Sequence, residues 1–159
     1  MNTDVVRQIL VHSIGAFGGT LGYAFMLNAP LKTILPASLT ALLGYVIYAV
    51  LDLLTPVGEI SSYFVATVVI SVICELEARC MRMPSTIFLL TALVPLVPGY
   101  TFYCVMKAMV EDNGPAIASY GLKAVQIVAV IAVGAAVTSV LFRTLAGRPR
   151  RRAASKSVQ

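Results

Sequence analysis

Five apolar stretches separated by short polar or proline-containing breaks set the pattern of this chain. They read about Val5 to Leu27, Pro36 to Leu54, Ile60 to Ala78, Pro84 to Met109 and Ala116 to Phe142. Most lack the polar face that a helix on a soluble core presents to water. Stretches of about 20 apolar residues are long enough to cross the roughly 30 Å hydrocarbon layer as helices. The expected fold is all-α, a polytopic membrane helix bundle of about five transmembrane helices over residues 1–146. Residues 147–159 read as a polar, basic, disordered cytoplasmic tail. The breaks carry turn chemistry: Asn28-Ala29-Pro30 with Lys32 in the loop, Thr55-Pro56-Val57-Gly58, and Glu111-Asp112-Asn113-Gly114-Pro115.

The fourth stretch differs from the others because Pro95, Pro98 and Gly99 fall near its middle. Unbroken, it would span roughly 39 Å at about 1.5 Å per residue, which places the break near the middle of a bilayer. Each proline lacks an N–H and crowds the carbonyl four residues back, so the carbonyls of Thr91 and Val94 are expected to lose their helical partners. Gly99 permits a sharp turn. Free polar backbone at that depth must be buried in protein or line a wet cavity. Secondary transporters place their sites at such broken helices, whereas a proline kink that only shapes the bundle is the competing reading. A half-helix starting at Gly99 would aim its partially positive N-terminus at mid-membrane and suit a carboxylate. The candidate binding residues are therefore Thr91, Val94, Pro95, Pro98, Gly99, Tyr100, Thr101 and Tyr103.

Composition sharpens the membrane assignment. The chain of 159 residues is 58 % hydrophobic and 12 % charged, against about 45–50 % and about 25 % in soluble domains. The net charge of +5 is concentrated at the C-terminus in Arg148, Arg150, Arg151, Arg152 and Lys156. Beside a membrane span, such a cluster retains a segment in the cytoplasm and attracts anionic lipid, so nucleic acid is not the expected partner. Lys32, Arg79, Arg82, Arg143 and the tail fall on one side of a five-span layout. Arg7, Lys107 and Lys123 fall on the other, with Asp4, Asp52, Glu59, Glu111 and Asp112. Lys and Arg stay inside, which gives the N-terminus outside and the C-terminus in the cytoplasm. No cleavable signal is expected, since the first apolar stretch follows Asp4 and Arg7 and is too long for a signal core.

Little other chemistry is legible. Cys74, Cys80 and Cys104 form no CxxC pair, and His12 is the lone histidine, so neither a structural metal site nor a cofactor is expected. Nucleotide-binding glycine motifs and hydrolase signatures are absent, and an enzyme is not expected. Three titratable side chains are candidates for coupling or for an ion pair: His12, Glu75 and Arg79. Glu75 precedes Arg79 by four residues, the favourable order for a helical ion pair; packing by His12 and a structural pair at Glu75 are the plainer roles. In the first stretch, Gly15-xxx-Gly19 and Gly18-xxx-Gly22 are small-residue pairs that let helices approach closely. Ala129, Ala132 and Ala136 suggest a packing seam on the fifth.

From Arg79 to Tyr103 the chain resembles the threonine/serine exporter family, specifically its short-subunit type. The residues that carry the likeness are Ala78-Arg79, Pro84-Ser85-Thr86-Ile87-Phe88, Leu93-Val94-Pro95-Leu96-Val97-Pro98-Gly99, Tyr103 and Met106, with a weaker match at Gly22 to Pro30. The resemblance implies an exporter in a bacterial inner membrane, driven by the proton-motive force. Its small-molecule substrate would be a small amino acid or, as in some relatives, a dicarboxylate such as succinate. It also implies that the chain corresponds to the C-terminal membrane half of fused exporters and works with a larger membrane subunit. A non-transporting assembly subunit and a homo-oligomeric channel are the rival expectations.

Overall fold

The computed structural model describes residues 3–54 and 58–146. The turn residues Thr55, Pro56 and Val57 and the expected tail from 147 onward lie outside the described residues. Among the described residues six α-helices follow one another: α1 (Thr3–Met26), α2 (Leu31–Leu54), α3 (Glu59–Met81), α4 (Ser85–Ala92), α5 (Gly99–Val110) and α6 (Gly114–Ala146), with one 3-10 turn, Val94–Leu96, between α4 and α5. An all-α helical bundle is therefore what these residues form.

Helix ends follow local chemistry, and several differ from the sequence expectation. α2 starts at Leu31, so Lys32 lies in its first turn and not in a loop, and Pro36 is inside the helix and does not begin it. The carbonyl that Pro36 leaves without a helical donor is that of Lys32, four residues back, whose side chain is exposed at the helix end. α3 runs one turn past Ala78 because Arg82 takes the left-handed conformation (φ 55°) and Met83 N–H closes on the Ala78 carbonyl at 3.0 Å. α6 begins at Gly114, with the Asn113 side chain accepting from Ala116 N–H at 3.2 Å, and it continues beyond Phe142 to Ala146.

The core lies where α2, α3 and α4 meet. It comprises Ala37 and Ala41 of α2, Ala66, Ile70, Cys74 and Ala78 of α3, Phe88 and Ala92 of α4, and Leu96 of the 3-10 turn. Small side chains dominate, which lets the helices approach closely where lipid supplies no hydrophobic drive between them. α2 runs antiparallel to α3, since Thr40 reaches Glu77 and Tyr48 packs on Tyr63. α3 and α6 run parallel: Lys123 pairs with Glu59 at one end, at 2.6 Å, and Arg79 meets Phe142 at the other. The segment α4–α5 therefore carries the chain back from the Arg79 end to the Glu59 end.

Among the described residues, three helices are long and apolar enough to cross a membrane, over Ile9–Met26, Leu31–Leu53 and Gly114–Thr144, and the bent pair α4–α5 passes as a fourth. α3 is 23 residues long and packs between α2 and α6 but is not in that set. Within the chain, the small-residue faces of α1 and α6 are not where the helices meet. Ala129, Ala132 and Ala136 are exposed, while the buried positions of α6 are Ala124, Ile127, Gly134 and Thr138. On α1 a Cβ added at Gly15, Gly18, Gly19 or Gly22 would meet nothing within 4 Å.

Candidate functional site

The fourth apolar stretch is broken as the prolines require, by 53° between its two helical halves. Val97, forced away from helical geometry by the following Pro98, is extended (φ −62°, ψ 127°). One local expectation fails. The Val94 carbonyl is not left open, because the chain tightens into the 3-10 turn and Val97 N–H reaches it at 3.2 Å. The open groups lie on the donor side. Among the described residues, the N–H groups of Tyr100 and Thr101 donate to no backbone carbonyl, and no side chain caps α5.

The two halves have different surroundings. α4 and the 3-10 turn are wedged against α1, α2 and α3, burying Phe88, Thr91, Ala92 and Leu96. The Thr91 hydroxyl is occupied, donating back to the Ile87 carbonyl at 2.8 Å. α5 leaves that core and packs on α6, burying only Thr101 and Ala108. The candidate residues consequently divide. Thr91, Pro98 and Thr101 are buried, Val94 and Pro95 half-buried, and Gly99, Tyr100 and Tyr103 exposed. Tyr100 and Tyr103 pair their rings at 6.5 Å and line a cavity of ≈ 270 Å³ with Cys104, Lys107, Glu111 and Tyr120.

The coupling candidates are scattered. His12, on α1, stacks on Tyr45 of α2 with ring centroids 6.4 Å apart. A row of rings continues through Tyr48 to Tyr63 of α3, whose centroids are 4.3 Å apart. His12, Tyr45, Tyr48 and Asp52 line a cavity of ≈ 160 Å³. The expected Glu75–Arg79 ion pair does not form. The ion pairs among the described residues are Lys107–Glu111 and Lys123–Glu59. Arg79 turns instead to α6, where it donates to the Phe142 carbonyl at 3.1 Å and lies over the Phe142 ring.

Sequence reasoning passed over Glu77. Its Oε1 accepts from the Thr40 hydroxyl at 2.6 Å, while its Oε2 is buried with no hydrogen-bond partner among the described residues. The available signal was a carboxylate inside an apolar stretch. It applied equally to Glu75, and the four-residue spacing to Arg79 drew the choice there.

A bundle of helices long and apolar enough to cross a membrane, with one of them broken in its interior, is the architecture of a membrane protein. The family model described as "Threonine/Serine exporter, ThrE" matches residues 12–141. The chain belongs to the threonine/serine exporter family. Comparison with curated proteins and with solved structures gives no significant match.

Proposed function

We propose that this chain is one membrane subunit of a secondary exporter that moves a threonine- or serine-like amino acid, or a dicarboxylate such as succinate, out of a bacterial cell across its inner membrane. Transport is driven by protons and requires a larger membrane subunit of the same family. α3 serves as the fifth crossing, with the N-terminus outside and the basic tail from 147 onward in the cytoplasm. The observation that carries this reading is the break itself. Its first half is locked into the α1–α3 core, and its second half begins with the unpaired N–H groups of Tyr100 and Thr101. Such a terminus supplies donors and partial positive charge for a substrate carboxylate. Tyr100 and Tyr103 lie exposed on the first two turns of the same half and line the ≈ 270 Å³ cavity along α5. The open glycine face of α1 is the surface that the larger subunit covers, since a close helix approach needs small residues there.

Counterflow into vesicles tests this, with labelled serine, threonine and succinate, with and without the larger subunit. Exchange of one of these compounds only when both chains are present is the expected result. Ion conductance from this chain alone would replace the exporter with a channel.

A further inference from the structure

Glu77 stands at the seam between α2 and α3, one turn beyond Cys74 of the buried core. The Thr40 hydroxyl holds Oε1 at 2.6 Å, and Oε2 is closed off from solvent without a donor. A carboxylate oxygen buried without a donor or cation is costly, and the carboxyl relieves that cost by binding a proton. The elements packed against α3 offer no countercharge in contact. α4 carries no titratable side chain. α2 has Lys32, exposed in its first turn, and α6 has Arg143, exposed in its last. On α3 itself the neighbours are Cys74, Glu75 and Arg79, and Arg79 is engaged with Phe142. No ion pair to Glu77 exists among the described residues.

We propose that Glu77 is a proton-binding carboxyl of the exporter, with Oε2 taking up and releasing the proton while Thr40 fixes Oε1. This rests on the exporter reading above. The step is balanced by itself: one O–H bond forms on Oε2 and the carboxylate charge is neutralised, and release is the reverse. Thr40 is a positioning residue that keeps the carboxyl oriented across the seam.

Infrared difference spectroscopy of the full chain in lipid, taken across a pH series, reads this directly. The wild type should show a protonated-carboxyl band that titrates and is lost in Glu77→Gln. Thr40→Val keeps the carboxyl but removes its donor, and should shift the frequency of the same band. In vesicles holding both subunits, Glu77→Gln should lose efflux driven by a pH gradient yet keep substrate counterflow, which needs no net proton movement. Absence of the wild-type band, its survival in Glu77→Gln, or gradient-driven efflux retained by Glu77→Gln would each overturn the assignment. Should Glu77→Gln fail to insert, Thr40→Val decides, an unshifted band counting against it. A wild type that exchanges no substrate would remove the exporter reading, and the spectroscopic arm would still judge the proton site.

Discussion

The Arg79 guanidinium lies 4.9 Å from the centre of the Phe142 ring while donating to the Phe142 carbonyl at 3.1 Å, joining the ends of α3 and α6. The contact ties two parallel helices at the basic end of the bundle, and the Lys123–Glu59 pair ties the same helices at the other end. Together they mark the two ends of the α3–α6 seam, and α5 packs on the same α6.

Removing that contact should have a small, measurable cost. Arg79 is exposed, so a cation–π contact of this kind contributes about 0.5–1 kcal/mol. Phe142→Leu keeps most of the apolar volume and should lower thermal stability in detergent by about that amount. Glu75→Gln should leave the unfolding midpoint where it is. A larger loss from Glu75→Gln than from Phe142→Leu would restore the helical ion pair that the structure lacks.

Two glycines make opposite predictions. A Cβ at Gly44 would overlap the fully buried Ile70 side chain of α3, so Gly44→Ala forces the α2–α3 seam apart and should cost about 1–3 kcal/mol. Ile70→Val in the same protein should recover part of it. Gly19 is exposed and a Cβ added there meets nothing within 4 Å, so Gly19→Leu should leave insertion and folding intact while weakening assembly with the larger subunit. Equal thermal stability for Gly44→Ala and wild type would show that the seam is looser than this packing requires.

What was legible in the sequence was what the backbone enforces locally. Helix positions followed from long apolar runs, and the break followed from Pro95, Pro98 and Gly99, because a missing N–H acts on its own turn whatever the tertiary context. Arg79 could not be placed that way. The four-residue spacing offered it Glu75, but the ring and carbonyl of Phe142 arrive from a helix 63 residues away, and only the α3–α6 register decides between them. Thr40 and Glu77 are 37 residues apart and meet because α2 and α3 are antiparallel. The alanines of α6 do not mark the contact inside the chain for a related reason: small residues mark a face able to pack, and here the close approach falls at Gly134, against Thr67 and Phe64.

The native thiols report orientation. Cys80 is exposed beside Arg79 at the end of α3, whereas Cys74 is buried in the core and Cys104 is half-buried on α5. If the basic end faces the cytoplasm, a membrane-impermeant maleimide should label Cys80 in inside-out vesicles and not in right-side-out cells. Cys80→Ser should remove most of that signal. Labelling of Cys80 from the outside would invert the topology.

The last prediction separates a binding role of the break from a packing role. Pro98→Ala returns an N–H at a position whose helical acceptor, the Val94 carbonyl, is already used by Val97 N–H. Straightening therefore requires the 3-10 turn to give up its own bond, and the bend should relax only partly. Gly99 is exposed and a Cβ added there meets nothing within 4 Å, so Gly99→Leu starts its side chain away from the core. It does, however, stand beside the unpaired N–H groups of Tyr100 and Thr101. If those donors hold the substrate, Gly99→Leu should insert and assemble normally but lose efflux, with Pro98→Ala impaired less. Thr101→Val removes a hydroxyl at nearly constant volume and should weaken apparent affinity by about 1 kcal/mol if that group contacts the substrate. Unchanged affinity in Thr101→Val together with lost transport in Gly99→Leu assigns recognition to the backbone donors. That is the expected outcome, because the Thr101 side chain is buried against the bundle while Gly99 and Tyr100 are open. Transport retained at the wild-type rate in both Gly99→Leu and Pro98→Ala would reduce the break to a bend that lets α4 plug the core and α5 reach α6.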